Sequence, residues 1–199
     1  MKFNYPDWSK VHHESWAKLL AQHMDLDNPL RMVEVGCFEG RSTVWFADYL
    51  AHHPNSVLHC IDTWMGGEEI ERSNLGFDMS EVMRTFSSNV SQHPQCDKIR
   101  IHVESSERGL AGLMGYNAYM DFIYLDGSHT KRDTLVDLVL ALVLIRKGGV
   151  IVVDDYLNGM NTSDLKLRPK QAVDFVVETF DNQVEFFVTP DRQAVIIKR

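Results

Sequence analysis

The chain has few cysteines and no long apolar run, so it is not expected to form a zinc finger, a disulfide framework or a membrane span. It contains three cysteines among 199 residues and no CxxC pair. Cys37, Cys60 and Cys96 are therefore interpreted as reduced thiols in or near the core. The longest apolar run, Leu138 to Ile145, is far shorter than the roughly 20 residues that cross a bilayer, and the N-terminal stretch MKFNYPDWSK lacks the apolar region of a signal peptide. A cytoplasmic protein without membrane contact is expected.

Basic residues are too few for a protein whose main task is to bind polyanions. Twenty lysines and arginines stand against 28 aspartates and glutamates, giving a net charge of −8. This balance argues against nucleic acid and anionic membranes as partners and favours a small neutral or cationic ligand. No repeat, low-complexity tract or linker interrupts the chain. Residues 1–199 are predicted to form one domain, with residues 1–28 as an N-terminal helical cap.

Short apolar runs bounded by turn residues predict seven β-strands. The first five suit strands buried on both faces, as in a parallel sheet, and helix-compatible segments separate them. The link between the last two, around Thr189 to Arg192, is too short for a helical crossover and predicts an antiparallel C-terminal hairpin. The prediction is an α/β domain with a mostly parallel sheet and helices on both faces. The predicted strands are 32–35, 57–61, 99–103, 121–125, 149–153, 184–188 and 194–198.

Apolar residues at helical spacing predict the intervening helices. In the first, Trp8, Val11 and Trp16 lie at such spacing and Asp7 can serve as the N-cap. The last is expected to end at Lys147-Gly148-Gly149, because glycine favours the residue that follows a helix. The predicted helices are 7–24, 41–53, 79–92, 106–115 and 131–146.

The segment VEVGCFEGRS places two glycines, Gly36 and Gly40, between the first strand and a predicted helix. Such a turn brings backbone N–H groups and a helix N-terminus against a ligand. Glu34 would repel a pyrophosphate but attract an amino group, and the dinucleotide fingerprint GxGxxG is absent. Asp62 ends the second strand, where nucleoside-binding folds hold a ribose through its hydroxyls. The alternative is a purely structural connection with Asp62 as a turn residue.

VEVGCFEGRS and IDTW resemble the first two motifs of the class I S-adenosylmethionine-dependent methyltransferases, and the likeness extends over nearly the whole chain. It implies a Rossmann-like fold whose glycine turn carries the methionine part of the cofactor. It also implies that the acid takes both ribose hydroxyls, that two serines after the third strand lie near the adenine, and that a tryptophan packs on the adenine face. The cofactor-binding residues implied are Glu34, Gly36, Gly40, Ser42, Asp62, Thr63, Trp64, Ser105, Ser106 and Asp126.

Three aspartates follow the fourth and fifth predicted strands. Asp126 ends one, and Asp154 and Asp155 end the other. Neighbouring strands lie about 4.8 Å apart, so these carboxylates can converge, and they repel one another unless a proton or a cation sits among them. Oxygen ligands of this kind favour Mg²⁺ or another hard divalent ion. The alternative is that Asp154 and Asp155 only cap the following loop.

The spacing Asp126-x-x-His129 indicates which members of this family the chain resembles most. Metal-dependent catechol O-methyltransferases carry Asp-x-x-Lys there, and the macrolide-sugar O-methyltransferases, some with DGxH, resemble this chain more closely. The resemblance implies that His129 is the general base of a methyltransferase acting on a small-molecule hydroxyl held on a divalent metal. Alternatives are a metal-independent methyltransferase of the same fold, a non-catalytic cofactor-binding module, and an NAD or nucleotide-sugar enzyme.

Two loops without a recognisable motif, 65–80 and 157–169, follow predicted strand ends. Because ligands of open α/β sheets bind there, both loops are candidates for acceptor recognition and for a lid. His12 and His13 could approach the same opening, but solvated side chains are expected. The sequence identifies neither the acceptor nor the state of assembly, and it leaves a homo-oligomer open.

Overall fold

One seven-stranded sheet runs through the protein, as seen in a computed structural model that describes residues 1–67, 76–116 and 119–199. Its strands are β1 (Arg31–Val35), β2 (Val57–Asp62), β3 (Ile99–Val103), β4 (Met120–Leu125), β5 (Ile145–Val153), β6 (Val184–Val188) and β7 (Ala194–Lys198). The order is β3-β2-β1-β4-β5-β7-β6. The strands β1 to β5 are parallel, whereas β7 is antiparallel to both β5 and β6. The predicted sheet and its C-terminal hairpin are confirmed.

Helices cover both faces of the sheet. Within the described residues they are α1 (His13–His23), α2 (Arg41–Ala47), α3 (Met79–Ser91), α4 (Ser106–Leu113), α5 (Lys131–Leu144) and α6 (Pro169–Thr179). Trp16, Phe46 and Phe86 bring α1, α2 and α3 into one buried cluster, and Leu138 and Val173 bring α5 and α6 into the other. No helix in the described ranges is long and apolar enough to span a membrane.

The first helix differs from its prediction. A 3-10 turn, Ser9–His12, precedes α1, and the side chains of Trp8 and Val11 are 53% and 68% exposed. Asp7 still accepts the Lys10 N–H at 3.1 Å. Only the second half of the segment therefore contributes its apolar face to the core.

The expected glycine stop after α5 was wrong. The helix ends at Leu144, and β5 begins at the next residue and includes Lys147 to Gly149. Pairing with β4 is irregular there, and a Cβ on Gly149 would lie 3.0 Å from the Asp121 carbonyl oxygen. The glycines thus permit a bulge in a strand instead of ending a helix.

Helix α6 was not predicted, although its sequence carries a signal. Pro169 occupies the first turn, where its missing N–H costs nothing. Ala172, Val173 and Val176 are buried and follow it at spacings of three, four and seven residues. That pattern is typical of a helix with one apolar face.

The four central parallel strands end at the same level. Backbone bonds continue this alignment one residue further: the N–H of Gly36 donates to Ile61, that of Asp126 to Val35 and that of Asp154 to Leu125, at 2.8 to 2.9 Å. The strands carry, in register, Ile61, Val35, Leu125 and Val153. We call the residues that follow them the terminal row: Asp62, Gly36, Asp126 and Asp154.

Gly36 is confined by its neighbours in the terminal row. Its φ is +81°, and a Cβ there would lie 1.9 Å from the carbonyl oxygen of Asp126. No side chain fits this space without moving the backbone of one strand end. Gly36 therefore holds the glycine turn against the Asp126 segment.

Replacing Gly36 by Ala is expected to lower the free energy of unfolding by about 3 kcal/mol or more, because positive φ and backbone overlap both oppose a Cβ. Gly112→Ala is the control, since Gly112 lies in α4 with open space around it. That change should be neutral or stabilising by up to about 1 kcal/mol. Chemical denaturation of both variants measures the difference, and equal stabilities would contradict the packing described for Gly36.

Candidate active site

The glycine turn is shaped by the carboxylate of Asp62. Its Oδ2 accepts the N–H groups of Cys37 at 2.8 Å and Phe38 at 3.1 Å, and its Oδ1 accepts that of Trp64 at 2.7 Å. A carboxylate offers about four acceptor positions, so three are already used. In this arrangement Asp62 has capacity for one ribose hydroxyl, not for the two that the resemblance implied.

The turn then leads directly into α2. Gly40 is the N-cap of this helix with φ +86°, and its N–H donates to the Cys37 carbonyl at 2.8 Å. A Cβ at Gly40 would lie 3.0 Å from the Phe86 ring. The helix N-terminus thus opens at the level of the terminal row, as expected for a turn that faces a ligand.

Glu34 lies beneath the turn, not beside a ligand. Its side chain is fully buried, and its two carboxyl oxygens accept hydrogen bonds from the hydroxyls of Ser42 and Thr43. Burial raises the pKa of Glu34 to about 8, against the effect of these two donors. Glu34 and Ser42 thus bond each other inside the core, and their contacts with the cofactor stay a prediction.

Trp64 and Thr63, which follow β2, are two of the predicted cofactor-binding residues. Trp64 is 4% exposed and packs on Phe86 with ring centroids 4.7 Å apart, while its indole N–H donates to the Phe38 carbonyl at 3.0 Å. It therefore supports the turn, and its contact with an adenine stays a prediction. Thr63 accepts the Met65 N–H at 3.2 Å.

Ser105 and Ser106 lie at the start of α4, at the same end of the sheet as Asp62. The Glu104 N–H donates to the Asp62 carbonyl at 3.2 Å, which joins the ends of β2 and β3. Ser105 is the N-cap of α4. Ser106 hydrogen-bonds the side chain of Asp137, whose pKa is raised to about 7 by burial. Both serines thus lie at the same end of the sheet as Asp62, one of them facing α5, and their contact with an adenine stays a prediction.

The N-terminal segment crosses over the glycine turn. The buried carboxylate of Glu39 accepts the N–H groups of Asn4 at 3.0 Å and Tyr5 at 3.1 Å. Arg41 donates to the Tyr5 carbonyl and stacks on the Phe3 ring at 4.1 Å. We call residues 2–5 the N-terminal strap. Because Glu39 and Arg41 flank Gly40, the strap and the turn form one structural unit.

Aromatic contacts connect the N-terminal segment to the loop 65–80. Tyr5 and Trp8 contact Phe38 and Phe77 with ring centroids 4.8 to 6.4 Å apart. Phe77 belongs to the loop 65–80 that was predicted to recognise the acceptor. Residues 68–75 of that loop lie outside the described residues, so this prediction stands untested.

The acidic side of the site lies at the ends of β4 and β5. The Tyr124 hydroxyl donates to Asp154 at 2.6 Å and contacts Asp126 at 3.2 Å. Burial and the charge of Asp154 raise the pKa of Asp126 to about 7, although 30% of its side chain stays accessible. The cluster therefore retains a proton at higher pH than an ordinary carboxylate, as expected where negative charge is in excess.

His129 lies between two of the three predicted metal ligands. Its Nε2 is 3.3 Å from Asp126 and its Nδ1 is 3.2 Å from Asp155, which follows Asp154 in a left-handed conformation with φ +49°. An imidazole can donate from both nitrogens only when it carries both protons. The geometry therefore allows His129 to act as a cation between the carboxylates as well as a base.

The three aspartates offer the oxygen donors that a hard cation prefers, but one of them already has several protein partners. Carboxylate oxygens are the donors that Mg²⁺ prefers, and Asp126 and Asp155 are partly accessible. Asp154, however, already accepts from Tyr124, from Gln193 at 3.0 Å and from the Asp155 N–H at 2.8 Å. The alternative that Asp154 is a loop residue finds support in the last contact.

A different trio is the one group of His, Cys, Asp or Glu ligand atoms within 4.8 Å of one another across residues 1–67, 76–116 and 119–199: Glu34, Cys37 and Cys60. All three are buried, and the Cys60 thiol points at Glu34 with a separation of 4.0 Å. Burial raises the pKa of both thiols, so they are poor ligands as they stand. Cys96 is exposed, contrary to the expected core position.

Gln193 and His12 make contacts at the site that the sequence does not indicate. Gln193, fully buried, donates to Asp154 and accepts from the Trp16 indole at 2.9 Å. His12, expected to be solvated, contacts Asp191 at 2.6 Å. The Gln193–Trp16 and His12–Asp191 contacts join residues 177 and 179 positions apart, and no local pattern predicts them. His13 was also expected to be solvated, but it stacks on Trp45 at 5.2 Å.

Sheet order, glycine turn and strand-end carboxylates together define a nucleoside-binding α/β domain with a second polar site beside it. A family profile described as a methyltransferase domain matches residues 33–156, and the chain belongs to that family. The protein is thus a methyltransferase of the class I, S-adenosylmethionine-dependent type, and the suspected class is confirmed. Compared directly by sequence, no curated protein is significantly similar to it.

Solved structures share the fold at low sequence identity. An O-methyltransferase from Bacillus cereus in complex with SAH is 18% identical with a TM-score of 0.68, covering 98% of this chain and 84% of its own. The calicheamicin methyltransferase CalS11 is 16% identical with a TM-score of 0.67, covering 96% and 80%. A candidate rRNA methylase from Clostridium thermocellum is 14% identical with a TM-score of 0.66, covering 98% of each chain. At these identities the likeness is one of fold.

The buried Glu34 should make stability depend on pH. The unfolded chain releases this proton from about pH 4.5 upward, whereas the folded protein keeps it until about pH 8. The free energy of unfolding should therefore fall across that window and level off above it. Glu34→Gln should flatten this fall, and Glu14→Gln, at an exposed position of α1, should not. Denaturant titrations of all three proteins over this pH range test the prediction. Parallel curves of unfolding free energy against pH would contradict the assigned protonation of Glu34.

Proposed function

We propose that this methyltransferase transfers the methyl group of S-adenosylmethionine to a hydroxyl oxygen of a small molecule held on a divalent metal, with His129 as general base. The observation that carries the proposal is the terminal row. It sets the glycine turn and Asp62 on one side and Asp126 and Asp154 on the other, in one line across four strands. A cofactor bound at the first pair would have its methyl group next to an acceptor at the second.

The cofactor half of the site rests on Asp62 and the helix N-terminus at Gly40. Asp62 has one remaining acceptor position for a ribose hydroxyl, and Ser105 and Ser106 lie beyond it towards the edge of the sheet. Gly36 and Gly40 leave the backbone of the turn open to the methionine part of the ligand. Glu34 and Ser42 contribute from below, because they fix the first turn of α2.

His129 is proposed to take the proton of the acceptor hydroxyl. Methyl transfer from a sulfonium needs an oxygen nucleophile in line with the methyl carbon, so positioning and deprotonation are the tasks left to the protein. His129 can accept a proton only through a nitrogen that carries none. It must therefore give up one of its contacts, to Asp126 or to Asp155, when the acceptor binds.

The divalent ion would be held by Asp126, Asp154 and Asp155. When bound, it would supply a positive charge that fixes two adjacent acceptor oxygens and makes a hydroxyl more acidic. Two features of the chain support this: the three carboxylates lie on neighbouring strand ends, and the charge of Asp154 adds to burial in raising the pKa of Asp126. Asp154 would exchange its contact with Tyr124 for the ion.

A metal-independent methyltransferase is the second candidate. The observation in its favour is that both oxygens of Asp154 already have protein partners, Tyr124 and Gln193 among them. In that reaction His129 would balance the charge of Asp126 and Asp155 without an ion. The net charge of −8 weighs against an RNA acceptor, because phosphate contacts need a basic surface.

His129→Ala should lower kcat by roughly 10² to 10⁴ while the affinity for S-adenosylhomocysteine changes little. A panel of catechols and sugar diols supplies the acceptors, S-adenosylhomocysteine release gives the rate, and calorimetry gives the affinity. His52→Ala, at an exposed histidine after α2, is the control and should keep the parent rate. Parent turnover in His129→Ala between pH 6 and 8 would remove His129 from the mechanism.

Removal of divalent ions separates the two candidates. With EDTA, activity should be lost and should return with Mg²⁺ or Mn²⁺. Independently of activity, Mn²⁺ should bind to the protein and bind at least about tenfold more weakly to Asp126→Asn, whereas Asp181→Asn, at an exposed residue after α6, should bind as the parent does. Full activity in EDTA together with no Mn²⁺ binding would establish the metal-independent reaction.

A further inference from the structure

A cavity of about 560 Å³ opens beside Asp154 and Asp155. The loop after β5 forms one wall, the N-terminal helical segment contributes His12, and the β6–β7 hairpin contributes Asp191 and Arg192. The loop lining comprises Leu157, Asn158, Gly159, Met160, Asn161 and Thr162. The cavity therefore adjoins the acidic side of the terminal row and lies outside the glycine turn.

His12 and Asp191 form a fixed pair on the wall of this cavity. His12 Nδ1 lies 2.6 Å from Asp191 Oδ2, and Ser15 donates to the other oxygen of Asp191 at 2.9 Å. Both side chains are largely buried, with 12% and 15% exposed. The contact assigns the Nδ1 proton to the side of Asp191. His12 Nε2 is left facing Asp154 at 3.7 Å, a separation too long for a hydrogen bond.

Several hydrogen bonds hold the hairpin that carries Asp191. The Thr189 N–H donates to the Gln193 carbonyl at 2.9 Å, the Arg192 N–H donates to the Thr189 carbonyl at 2.9 Å, and the Thr189 hydroxyl accepts the Gln193 N–H at 3.0 Å. Gln193 is in turn held by the buried Trp16 and by Asp154. The position of Asp191 is thus fixed from two directions, through the N-terminal helix and through the strand end of β5.

Charge around the cavity is predominantly negative. Three carboxylates, those of Asp154, Asp155 and Asp191, line the cavity with one guanidinium, that of Arg192. With Asp154 and Asp155 engaged by the proposed divalent ion, Asp191 is the lining carboxylate that faces the rest of the acceptor. A phosphate or carboxylate placed here would meet repulsion, whereas an ammonium group or a neutral hydroxyl would find acceptors. Asn158, Asn161 and Thr162 add neutral groups that suit hydroxyls.

We propose that this cavity is the acceptor site and that the His12–Asp191 pair determines its specificity, selecting hydroxylated acceptors that carry an amino group over those that carry an acid. Asp191 attracts the cationic group, and His12 Nε2 contacts an acceptor hydroxyl. The proposal rests on the proposed function, because it names the acceptor class of that same site. It assigns neither residue a part in the chemical step.

Three catechols that differ in the charge of one substituent test the selection: dopamine, 4-methylcatechol and 3,4-dihydroxyphenylacetate. Each is titrated by calorimetry into the protein saturated with S-adenosylhomocysteine, at constant Mg²⁺ concentration. The amine should bind about tenfold more tightly than the acid, which corresponds to about 1.4 kcal/mol, and the neutral compound should fall between them. Equal affinities, tighter binding of the acid, or binding of none of the three would overturn the proposal.

Variants of the pair separate specificity from folding. Asp191→Asn keeps a hydrogen-bond acceptor for His12 but loses the charge, so the ratio between amine and acid should fall to about threefold or less. His12→Gln should weaken all three probes by about tenfold. His13→Gln, at the neighbouring histidine that stacks on Trp45 outside the cavity, should leave all affinities unchanged. An unchanged ratio in Asp191→Asn would contradict the assigned role.

The affinity for S-adenosylhomocysteine is measured first in every protein. If the parent does not bind it, the proposed function fails before the acceptor is tested. If the parent binds it normally and shows no discrimination among the catechols, only the acceptor assignment fails. Retained S-adenosylhomocysteine affinity in Asp191→Asn and His12→Gln also shows that both variants fold.

Discussion

The site depends on one constraint, the common end point of four parallel strands. Hydrogen bonding in a parallel sheet fixes register residue by residue, so the positions after Ile61, Val35, Leu125 and Val153 must form a line. Side chains placed there by the sequence become neighbours whatever their separation along the chain. The N–H of Asp154 bonds Leu125 just as that of Gly36 bonds Ile61. Cofactor turn and acidic cluster are therefore two ends of one row.

The fold could be predicted because its signals are local. Each strand is a short apolar run, and the five-residue link between β6 and β7 dictates a hairpin. The exceptions follow from tertiary context: Gly148 and Gly149 read as a helix stop, yet they serve a bulge beside Asp121. Helix α6 was missed although Pro169 and the spacing of Ala172, Val173 and Val176 indicate it.

The candidate site could be predicted by position but not by orientation. Sequence spacing brings Glu34, Asp62, Asp126 and Asp154 to one end of the sheet, as found. It does not reveal that Glu34 turns inward to Ser42 and Thr43, or that Trp64 packs on Phe86. The alternation of side chains decides which face each residue takes, and at a strand end that alternation stops. The pairing of His12 with Asp191 depends on packing across the whole chain.

The N-terminal strap bears on the order in which the cofactor turn can form. Asn4 and Tyr5 are hydrogen-bonded to Glu39 and Arg41, and the Lys2 N–H donates to Asn89, 87 positions away, which also donates to the Glu39 carbonyl. Loops of this length close late and slowly, because their entropy must be lost before the contacts are gained. During synthesis residues 2 to 5 leave the ribosome well before α3 exists to receive them. The contacts that cover the cofactor turn are therefore completed only after Asn89 has emerged.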